Sequence, residues 1–306
     1  MKTDYDVTII GAGPAGITAA IYLQRSNLNC CIIEKSAPGG LVNKTSIVEN
    51  YPGFTKITGP DLAYKLYEQL NNSKIKQIFE EVIEITDMKE YKLVKTPNNE
   101  IKTKAVILAI GRTPKKLEKT NERSLEGKGI SFCSLCDGAL YKNEEVAIVG
   151  GGNSALEESL YLSKICKKVY IINRSENLKG DEILKKQILE SDNIEVIYNS
   201  QVVKFNGEND ILESIDINKN NKIENLKIKA CFIFIGYEPA TKFIKNLDIL
   251  DEKGYIIVDE NGRTKIKGIY AAGDIIKKDL YQIITASSDG AKAAVSCIKD
   301  LEIKEE

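Results

Sequence analysis

A strand, a glycine-rich turn, a helix and a second strand follow one another at the start of the chain and again near its middle. The first copy runs from YDVTII through GAGPAG and ITAAIYLQR to NCCIIE, and the second is EEVAIVGGGNSALEESLYLSKICKKVYIINR. Each copy is the beginning of a parallel sheet covered by helices. The repetition therefore predicts an α/β chain with two Rossmann-like, three-layer nucleotide-binding domains.

The glycine spacing of the first turn is typical of a dinucleotide site. Gly11 makes the tight turn, Gly13 allows the backbone to approach a pyrophosphate, and Gly16 allows the helix to pack closely on the sheet. The helix N-terminus favours phosphate charge, and Glu34, at the end of the second strand, is placed to accept a hydrogen bond from a ribose hydroxyl. We expect the dinucleotide to contact the turn residues Gly11, Gly13, Pro14, Ala15 and Gly16.

The second turn has the related pattern G-x-G-x-x-A and predicts a second nucleotide site. The residues expected there are Gly150, Gly152, Asn153, Ser154 and Ala155, with Arg174 after the following strand.

The remaining segments indicate that the second domain is inserted into the first. KAVILAIGRTP and IKGIYAAGDI each read as a strand that ends in a glycine turn, at Gly111 and at Gly273. Asp274 is either an ordinary turn residue or a ligand of a flavin ribityl or phosphate group. We predict a discontinuous first domain, 1–112 and 246–306, and an inserted second dinucleotide-type domain, 113–245. Prolines place the linkers near 113–114 and 237–239.

Composition excludes several kinds of chemistry. The 306 residues include no histidine, so Ser-His-Asp and Cys-His catalysis and His-ligated zinc are excluded. The net charge is −1 without a basic block, so neither nucleic acid nor an anionic membrane surface is an expected partner. No apolar run approaches the ~18 residues of a transmembrane helix. The apolar stretch before Gly11 is too short for a signal-peptide core, and we expect a cytoplasmic protein.

The segment FCSLCDGALY contains the only Cys-x-x-Cys of the chain, Cys133 and Cys136, followed by Asp137. Zinc would need four ligands, which are missing, so no metal site is predicted. A structural disulfide would close a loop too short to gain much chain entropy. A redox dithiol is favoured, because a helix N-terminus or a nearby flavin can lower a thiol pKa. We expect the other cysteines to be small buried side chains: Cys30, Cys31, Cys166, Cys231 and Cys297.

The chain resembles the low-molecular-weight thioredoxin reductases along nearly its full length. The matching segments, in order, are GAGPAG, PGG, ENYPGF, CSLCDG, GGGNSALEE, AAGD and the DGAKAA segment that follows Gln282. The resemblance implies an oxidoreductase with an FAD domain, a smaller NAD(P)H domain that carries the Cys pair, a homodimer, and thioredoxin or a thioredoxin-like protein as the electron acceptor.

The resemblance also implies roles for individual residues in FAD binding. Glu34 is expected to hold the adenosine ribose, and Asn50 to line the flavin. Asp274 is expected to meet the ribityl–phosphate region, and Gln282 the pyrimidine edge of the ring. Tyr281 stands where the family has Arg. The resemblance adds three glycines to the expected cofactor contacts: Gly40, Gly111 and Gly273.

For the redox pair, the resemblance implies that Cys136 faces the flavin and that Cys133 attacks the disulfide of the partner. Cys136 then resolves the mixed disulfide. Asp137 supplies the proton that other disulfide reductases take from histidine, which agrees with the histidine-free composition.

The segment INRSENLKGDE differs from the family's motif for the NADPH 2′-phosphate. NADPH-using relatives carry His-Arg-Arg and a further Arg there, because guanidinium groups bind phosphate. Here Arg174 is kept, whereas Asn173 replaces the His, Ser175 replaces an Arg, and Lys179 replaces the last Arg. We predict a preference for NADH over NADPH, with Asn173 or Ser175 bonding a ribose hydroxyl.

Three alternatives stay open. Some relatives in anaerobes take electrons from ferredoxin, whose potential of about −400 mV lies below the about −270 mV of thioredoxin, although GGGNSALEE is intact here. A second alternative is a flavin dithiol oxidase with oxygen as the acceptor. The third is a nucleotide-bound redox sensor or scaffold without turnover, against which the intact pair and Asp137 argue.

Overall fold

The computed structural model describes residues 2–45, 47–208 and 211–302. The chain forms two compact units, one of Met1–Thr113 with Glu238–Glu306, and one of Pro114–Tyr237. We call them the outer unit and the inserted unit, because the second interrupts the sequence of the first.

The secondary structure alternates between strands and helices in both units. The strands of the described residues are β1 (Tyr5–Ile10), β2 (Cys30–Ile33), β3 (Ile47–Val48), β4 (Ile57–Thr58), β5 (Lys76–Ile78), β6 (Glu84–Asp87), β7 (Lys92–Lys95), β8 (Glu100–Leu108), β9 (Arg112–Pro114), β10 (Ile130–Ser131), β11 (Glu145–Val149), β12 (Lys168–Ile172), β13 (Ile194–Ile197), β14 (Ser200–Glu208), β15 (Ile211–Lys219), β16 (Lys222–Lys227), β17 (Ala230–Ile233), β18 (Tyr237–Pro239) and β19 (Ile269–Ala271). The α-helices are α1 (Pro14–Gln24), α2 (Gly59–Asn71), α3 (Glu122–Leu125), α4 (Ser134–Asp137), α5 (Asn153–Ser163), α6 (Glu182–Leu189) and α7 (Ile283–Glu302). Short 3-10 turns cover Gly40–Lys44, Gly138–Tyr141, Lys242–Ile244 and Gly273–Ile275.

The outer unit is built on a sheet of strand order β5-β2-β1-β8-β7-β6, and β19 pairs with the end of β8. Strands β5, β2, β1, β8 and β19 are parallel, whereas β6 and β7 are antiparallel additions. Alternate side chains of β1 face opposite sides of the sheet. Ile9 packs in the core that α1 and α7 cover, and Ile10 packs on the other face with Ile244 and Ile256.

Helices α1 and α7 approach each other closely because both present small residues. A methyl group on Gly290 of α7 would overlap the carbonyl oxygen of Ala15 in α1. Likewise, a methyl group on Gly16 would overlap the carbonyl oxygen of Gly11 in the preceding turn. The close approach fixes the N-terminal end of α1 against both the sheet and α7.

The inserted unit has a parallel sheet of order β10-β17-β11-β12-β13 and an antiparallel sheet of order β14-β15-β16. One face of β11 packs on α5, where Ile148 and Leu162 share a core. The opposite face packs on the antiparallel sheet, where Ala147 and Phe205 share another. Helix, parallel sheet and antiparallel sheet are therefore three successive layers.

The chain crosses between the units through β9 and β18, which pair as a two-stranded sheet. The return crossing falls between Tyr237 and Glu238, eight residues before the predicted boundary at 246. The segment after Glu238 belongs with the outer unit because Ile244 is fully buried in the outer core. In addition, the hydroxyl of Thr241 donates to the carbonyl of Gly254 at 2.9 Å.

Both units have parallel strands joined by helices, which confirms the predicted α/β fold with two Rossmann-like domains. Among the described residues, no helix combines the length and the apolarity that crossing a membrane would require.

Candidate active site

The first glycine-rich turn joins β1 to α1 in the outer unit. Gly11 has a φ of 97°, which only glycine adopts readily, and its N–H donates to the carbonyl of Ile33 at 2.8 Å. Gly13 precedes the helix, and no described atom lies within 4 Å of the place where its Cβ would stand. The space beside Gly13 is therefore open to a phosphate group.

Glu34 lies beside this turn and holds its shape. One carboxylate oxygen accepts from the N–H of Ala12 at 2.7 Å, and the other accepts from the N–H of Ser36 at 2.9 Å. A cavity of about 520 Å³ opens next to it, lined by Gly11, Glu34, Ile110 and the segment 80–83. Because these residues follow the carboxyl ends of parallel strands, the cavity lies where α/β sheets bind nucleotides.

The loop that carries Asn50 and the start of the segment that leads into α7 are far apart in the sequence but contact each other in the outer unit. The side-chain amide of Asn50 donates to the side-chain oxygen of Gln282 at 3.1 Å. The loop that carries Gly40 is tied to the first turn, since the N–H of Gly39 donates to the carbonyl of Ala12 at 2.7 Å. Two of the predicted flavin contacts, Asn50 and Gln282, are thus brought together.

Asp274 lies in a group of half-buried charges. Its carboxylate pairs with the guanidinium of Arg112 at 2.9 Å and with the ammonium of Lys278 at 3.5 Å. Lys278 also pairs with Asp289 at 2.8 Å. The guanidinium of Arg112 stacks over the ring of Tyr281, 4.0 Å from its centroid. Arg112, Lys278 and Asp289 were not predicted from the sequence, although Arg112 directly follows the predicted Gly111.

The second glycine-rich turn joins β11 to α5 in the inserted unit. Gly150 donates its N–H to the carbonyl of Ile172 at 3.1 Å, which repeats the geometry of the first turn. The side chain of Asn153 is held from both ends, because its amide donates to Asp181 at 3.0 Å and its oxygen accepts from the N–H of Asp181 at 2.8 Å. Gly152 and Ser154 are exposed, and Ala155 is buried.

The loop after β12 holds the residues that replace the family's phosphate motif. Asn173 is only 3% exposed, and its amide donates to the carbonyls of Ser175 at 2.9 Å and Asn177 at 3.0 Å. Asn173 therefore shapes the loop through its amide nitrogen. Arg174 and Lys179 are exposed, and Ser175 is half-buried.

Cys133 and Cys136 form a disulfide at the start of α4, with their Cα atoms 5.4 Å apart. Cys133 is the N-cap of this short helix, and its sulfur accepts from the N–H of Cys136 at 3.1 Å. Cys133 is 5% exposed, whereas Cys136 is exposed. A helix N-terminus favours thiolate over thiol, so the place is suited to a redox-active pair.

Asp137 follows the pair and receives a hydrogen bond from Ser131. The hydroxyl of Ser131 donates to the carboxylate of Asp137 at 2.6 Å, and Ser131 also accepts from the N–H of Cys133 at 3.0 Å. Burial and the charge of Asp137 raise the pKa of Tyr141. Ser131 was not predicted from the sequence, although it lies only two residues before Cys133.

The five other cysteines are buried free thiols, as predicted: Cys30, Cys31, Cys166, Cys231 and Cys297. Burial raises the pKa of Cys30 to about 12 and that of Cys166 to about 11. Within the described part of the chain, no group of three or more Cys, Asp or Glu side chains is arranged to hold a metal ion.

The sequence and the fold both match known disulfide oxidoreductases. The model of the pyridine nucleotide-disulphide oxidoreductase family matches residues 5–290. The thioredoxin reductase of Bacillus subtilis is 41% identical over 294 residues, which are 95% of this chain and 93% of that protein. The chain belongs to the low-molecular-weight thioredoxin reductase family.

Solved structures of thioredoxin reductases agree with this assignment. The Lactococcus lactis enzyme has a TM-score of 0.92 and 38% identity, and the match covers 98% of this chain and 100% of that one. The ferredoxin-flavin thioredoxin reductase of Clostridium acetobutylicum is more distant. It has a TM-score of 0.55 and 28% identity, with 98% of each chain covered. Members of the pyridine nucleotide-disulphide oxidoreductase family are oxidoreductases that in general use FAD and NAD(P)H.

The outer unit has residues that fit an FAD molecule. The open space at Gly13, directly before the N-terminus of α1, suits a pyrophosphate, and the cavity beside Glu34 has room for a nucleoside. The paired amides of Asn50 and Gln282 offer donors and acceptors of the kind that a flavin ring requires.

Proposed function

We propose that the chain is an FAD-dependent thioredoxin-disulfide reductase that takes electrons from a pyridine nucleotide. The single observation that supports this most strongly is the disulfide Cys133–Cys136, which begins a helix and is followed by a carboxyl group in a unit with its own nucleotide-type turn. The acceptor is thioredoxin or a thioredoxin-like protein, as the names of the relatives suggest.

In this proposal the outer unit holds FAD, which supplies an electron pair to the disulfide when it is bound. Glu34 bonds the adenosine ribose, and the first turn holds the pyrophosphate through Gly11, Gly13, Pro14, Ala15 and Gly16. Asn50 and Gln282 meet the flavin ring, and Asp274 meets the ribityl chain. The glycines Gly40, Gly111 and Gly273 let the backbone approach the cofactor.

The thiol chemistry uses only residues of the inserted unit. The thiolate of Cys133 attacks one sulfur of the partner's disulfide, so that a new S–S bond forms and the partner's S–S bond breaks. The departing sulfur keeps the electron pair and takes a proton from Asp137. The sulfur of Cys136 then attacks the sulfur of Cys133 and gives up its own proton, the bond between Cys133 and the partner breaks, and the departing sulfur takes up that proton. This restores the Cys133–Cys136 disulfide and releases the partner as a dithiol. Because Cys133 is buried in the oxidised pair, it must become accessible before the attack.

The assignment of the two sulfurs is tested with Cys133→Ser and Cys136→Ser. Each reduced variant is mixed with a thioredoxin that has one active-site cysteine, blocked as its mixed disulfide with thionitrobenzoate, and release of the dye is followed. We expect Cys136→Ser to form the protein–protein adduct at least about tenfold faster than Cys133→Ser, because it keeps the attacking thiol. Both variants should retain flavin. Equal or reversed rates would contradict the assignment.

We further propose that the donor is NADH, bound at the second turn by Gly150, Gly152, Asn153, Ser154 and Ala155, with Arg174 nearby. The loop offers Arg174 and Lys179 for a 2′-phosphate but has Ser175 where relatives carry another Arg. A missing charge-assisted hydrogen bond is worth ~1.5–3 kcal/mol, or about tenfold or more in affinity. Ser175→Arg should therefore raise the use of NADPH about tenfold, with Asn177→Arg in the same loop as the control.

The donor is identified by mixing the oxidised, anaerobic protein separately with NADH, NADPH and reduced ferredoxin while flavin absorbance is followed. We expect rapid bleaching by NADH and slower bleaching by NADPH. Bleaching by ferredoxin alone would establish the alternative that the more distant Clostridium acetobutylicum structure represents. Reduction by dithiothreitol but by none of the three would favour the dithiol oxidase.

From the family we also infer a cytoplasmic homodimer. Sedimentation of the purified protein tests the dimer, and fractionation of cells tests the location.

A further inference from the structure

Ser131 occupies a position that the fold fixes firmly. It is the last residue of β10, is 6% exposed, and lies in register with Phe232 of β17 in the parallel sheet. Its backbone is therefore held in the sheet, two residues before Cys133.

The hydroxyl of Ser131 has three polar partners. It donates to the carboxylate of Asp137 at 2.6 Å and accepts from the N–H of Cys133 at 3.0 Å. The carbonyl oxygen of Cys133, at 3.3 Å, is a second acceptor within reach. A hydroxyl has one proton to donate and two lone pairs to accept with, so it can serve only one of the two acceptors at a time.

This arrangement suits both protonation states of Asp137. When Asp137 is ionised, Ser131 donates to it, as the structure shows. When Asp137 carries a proton, its carboxyl can donate to the oxygen of Ser131, and the hydroxyl can turn to the carbonyl of Cys133. The N–H of Cys133 remains bonded in both cases.

We propose that Ser131 is a positioning residue that holds the carboxyl of Asp137 beside the redox pair in both of its protonation states. The inference rests on the proposed role of Asp137 as the acid. In that step Asp137 gives its proton to the sulfur that leaves the partner's disulfide and becomes a carboxylate, while the new Cys133–partner bond forms. Without Ser131 the carboxyl would lose its fixed place, although its chemistry would remain.

The inserted unit provides a matched control in Ser134. It is also a buried serine next to Cys133, but its hydroxyl has no hydrogen-bond partner among the described residues. Replacing Ser134 by Ala therefore removes a hydroxyl of the same kind from the same short segment without removing a contact to Asp137.

The experiment measures thioredoxin reduction by the flavin-loaded full-length enzyme in Ser131→Ala, Ser131→Thr, Ser134→Ala, Asp137→Asn and the double variant Ser131→Ala/Asp137→Asn. A hydrogen bond to a charged group corresponds to about 10- to 100-fold in rate. We expect Ser131→Ala to lower kcat by about that factor with little change in KM. Ser131→Thr, which keeps the hydroxyl, and Ser134→Ala should stay within about threefold of the parent.

The double variant decides whether Ser131 acts through Asp137. We expect it to be no slower than Asp137→Asn alone, because the residue that Ser131 positions is already gone. Multiplied effects, or an unchanged rate in Ser131→Ala, would overturn this inference alone. An unchanged rate in Asp137→Asn would overturn the acid role of Asp137 and this inference with it. Should Ser131→Ala not fold, Ser131→Gly takes its place in the same comparison.

Discussion

At the scale of single residues, the seven cysteines divide sharply by environment. Cys133 and Cys136 form a disulfide at the start of a helix with a carboxyl group behind them, and Cys136 is exposed, whereas the other five are buried free thiols. Burial raises the pKa of Cys30 to about 12, so at pH 8 only about one such thiol in 10⁴ is ionised. Since the thiolate is the reactive form, the fold itself directs thiol chemistry to the pair.

This contrast predicts the alkylation pattern of the reduced enzyme. At pH 8, iodoacetamide should label the exposed Cys136 within minutes, and Cys133 as soon as reduction of the disulfide makes its sulfur accessible. The five other cysteines should stay unlabelled for hours, because burial raises their pKa values and covers their sulfurs. Mass spectrometry of the intact protein gives the count. All seven should react in urea, which serves as the control. Early labelling of a third site in the folded protein would contradict the prediction.

At the scale of secondary-structure elements, the contact between α1 and α7 determines the position of the N-terminal end of α1, where a phosphate group is proposed to bind. The contact is close because Gly290 packs on the backbone of Ala15, at the start of α1. A side chain at that position must push the two helices apart. The proposed FAD site would then be displaced by a residue that does not line the cavity beside Glu34.

Gly290→Ala should accordingly lower both stability and flavin binding. Overpacking of this kind costs about 1–3 kcal/mol, and the displaced start of α1 should release FAD at lower urea concentrations. Urea unfolding and flavin absorbance measure the two effects. Ser288→Ala, at an exposed position of the same helix, is the control and should change stability by less than ~0.5 kcal/mol. Equal stability in the two variants would show that α7 adjusts without moving α1.

The sequence predicted some elements well and others not at all, for physical reasons. The strand–turn–helix units around Gly11 and Gly150 were recognisable because glycine spacing and apolar runs are local signals. Strands β14 to β16 were not predicted, since β16 is largely exposed and its strand character comes from pairing with β15. The sequence did contain one local signal, the pair Asn220-Asn221, because asparagine tolerates the positive φ that a tight hairpin turn requires. Both residues have positive φ in the structure.

Within the candidate site the same distinction holds. The cysteine pair and Asp137 stand in one short segment and were predicted together. Ser131, Arg112 and Lys278 were missed because their roles depend on contacts that sequence spacing does not reveal, such as the 162 positions between Arg112 and Asp274.

At the scale of the whole molecule, the inserted unit has its own sheet and cores, and its ends lie close together. The N–H of Lys115 donates to the carbonyl of Gly236 at 2.9 Å, which joins the residues next to the two ends of the unit. A segment with these properties is expected to fold without the rest of the chain.

We therefore predict that residues 114–237 expressed alone unfold cooperatively in urea and contain a disulfide that dithiothreitol reduces. Phe205→Ala should lower the stability of this fragment by about 3–5 kcal/mol, because Phe205 is fully buried. Ile223→Ala, at a position that is 61% exposed, should have little effect. A fragment without a cooperative transition would show that its fold depends on the outer unit.

The pairing of β9 with β18 also bears on how such a protein can change over evolutionary time. The points where the inserted unit begins and ends are neighbours, so the sequence of the outer unit is interrupted at one place only. A different domain with equally adjacent termini could be exchanged at this place in a single recombination event, with the connectivity of the flavoprotein scaffold preserved. An exchange of the inserted unit at this place could therefore change the electron acceptor, while the sequence and fold of the outer unit stay the same.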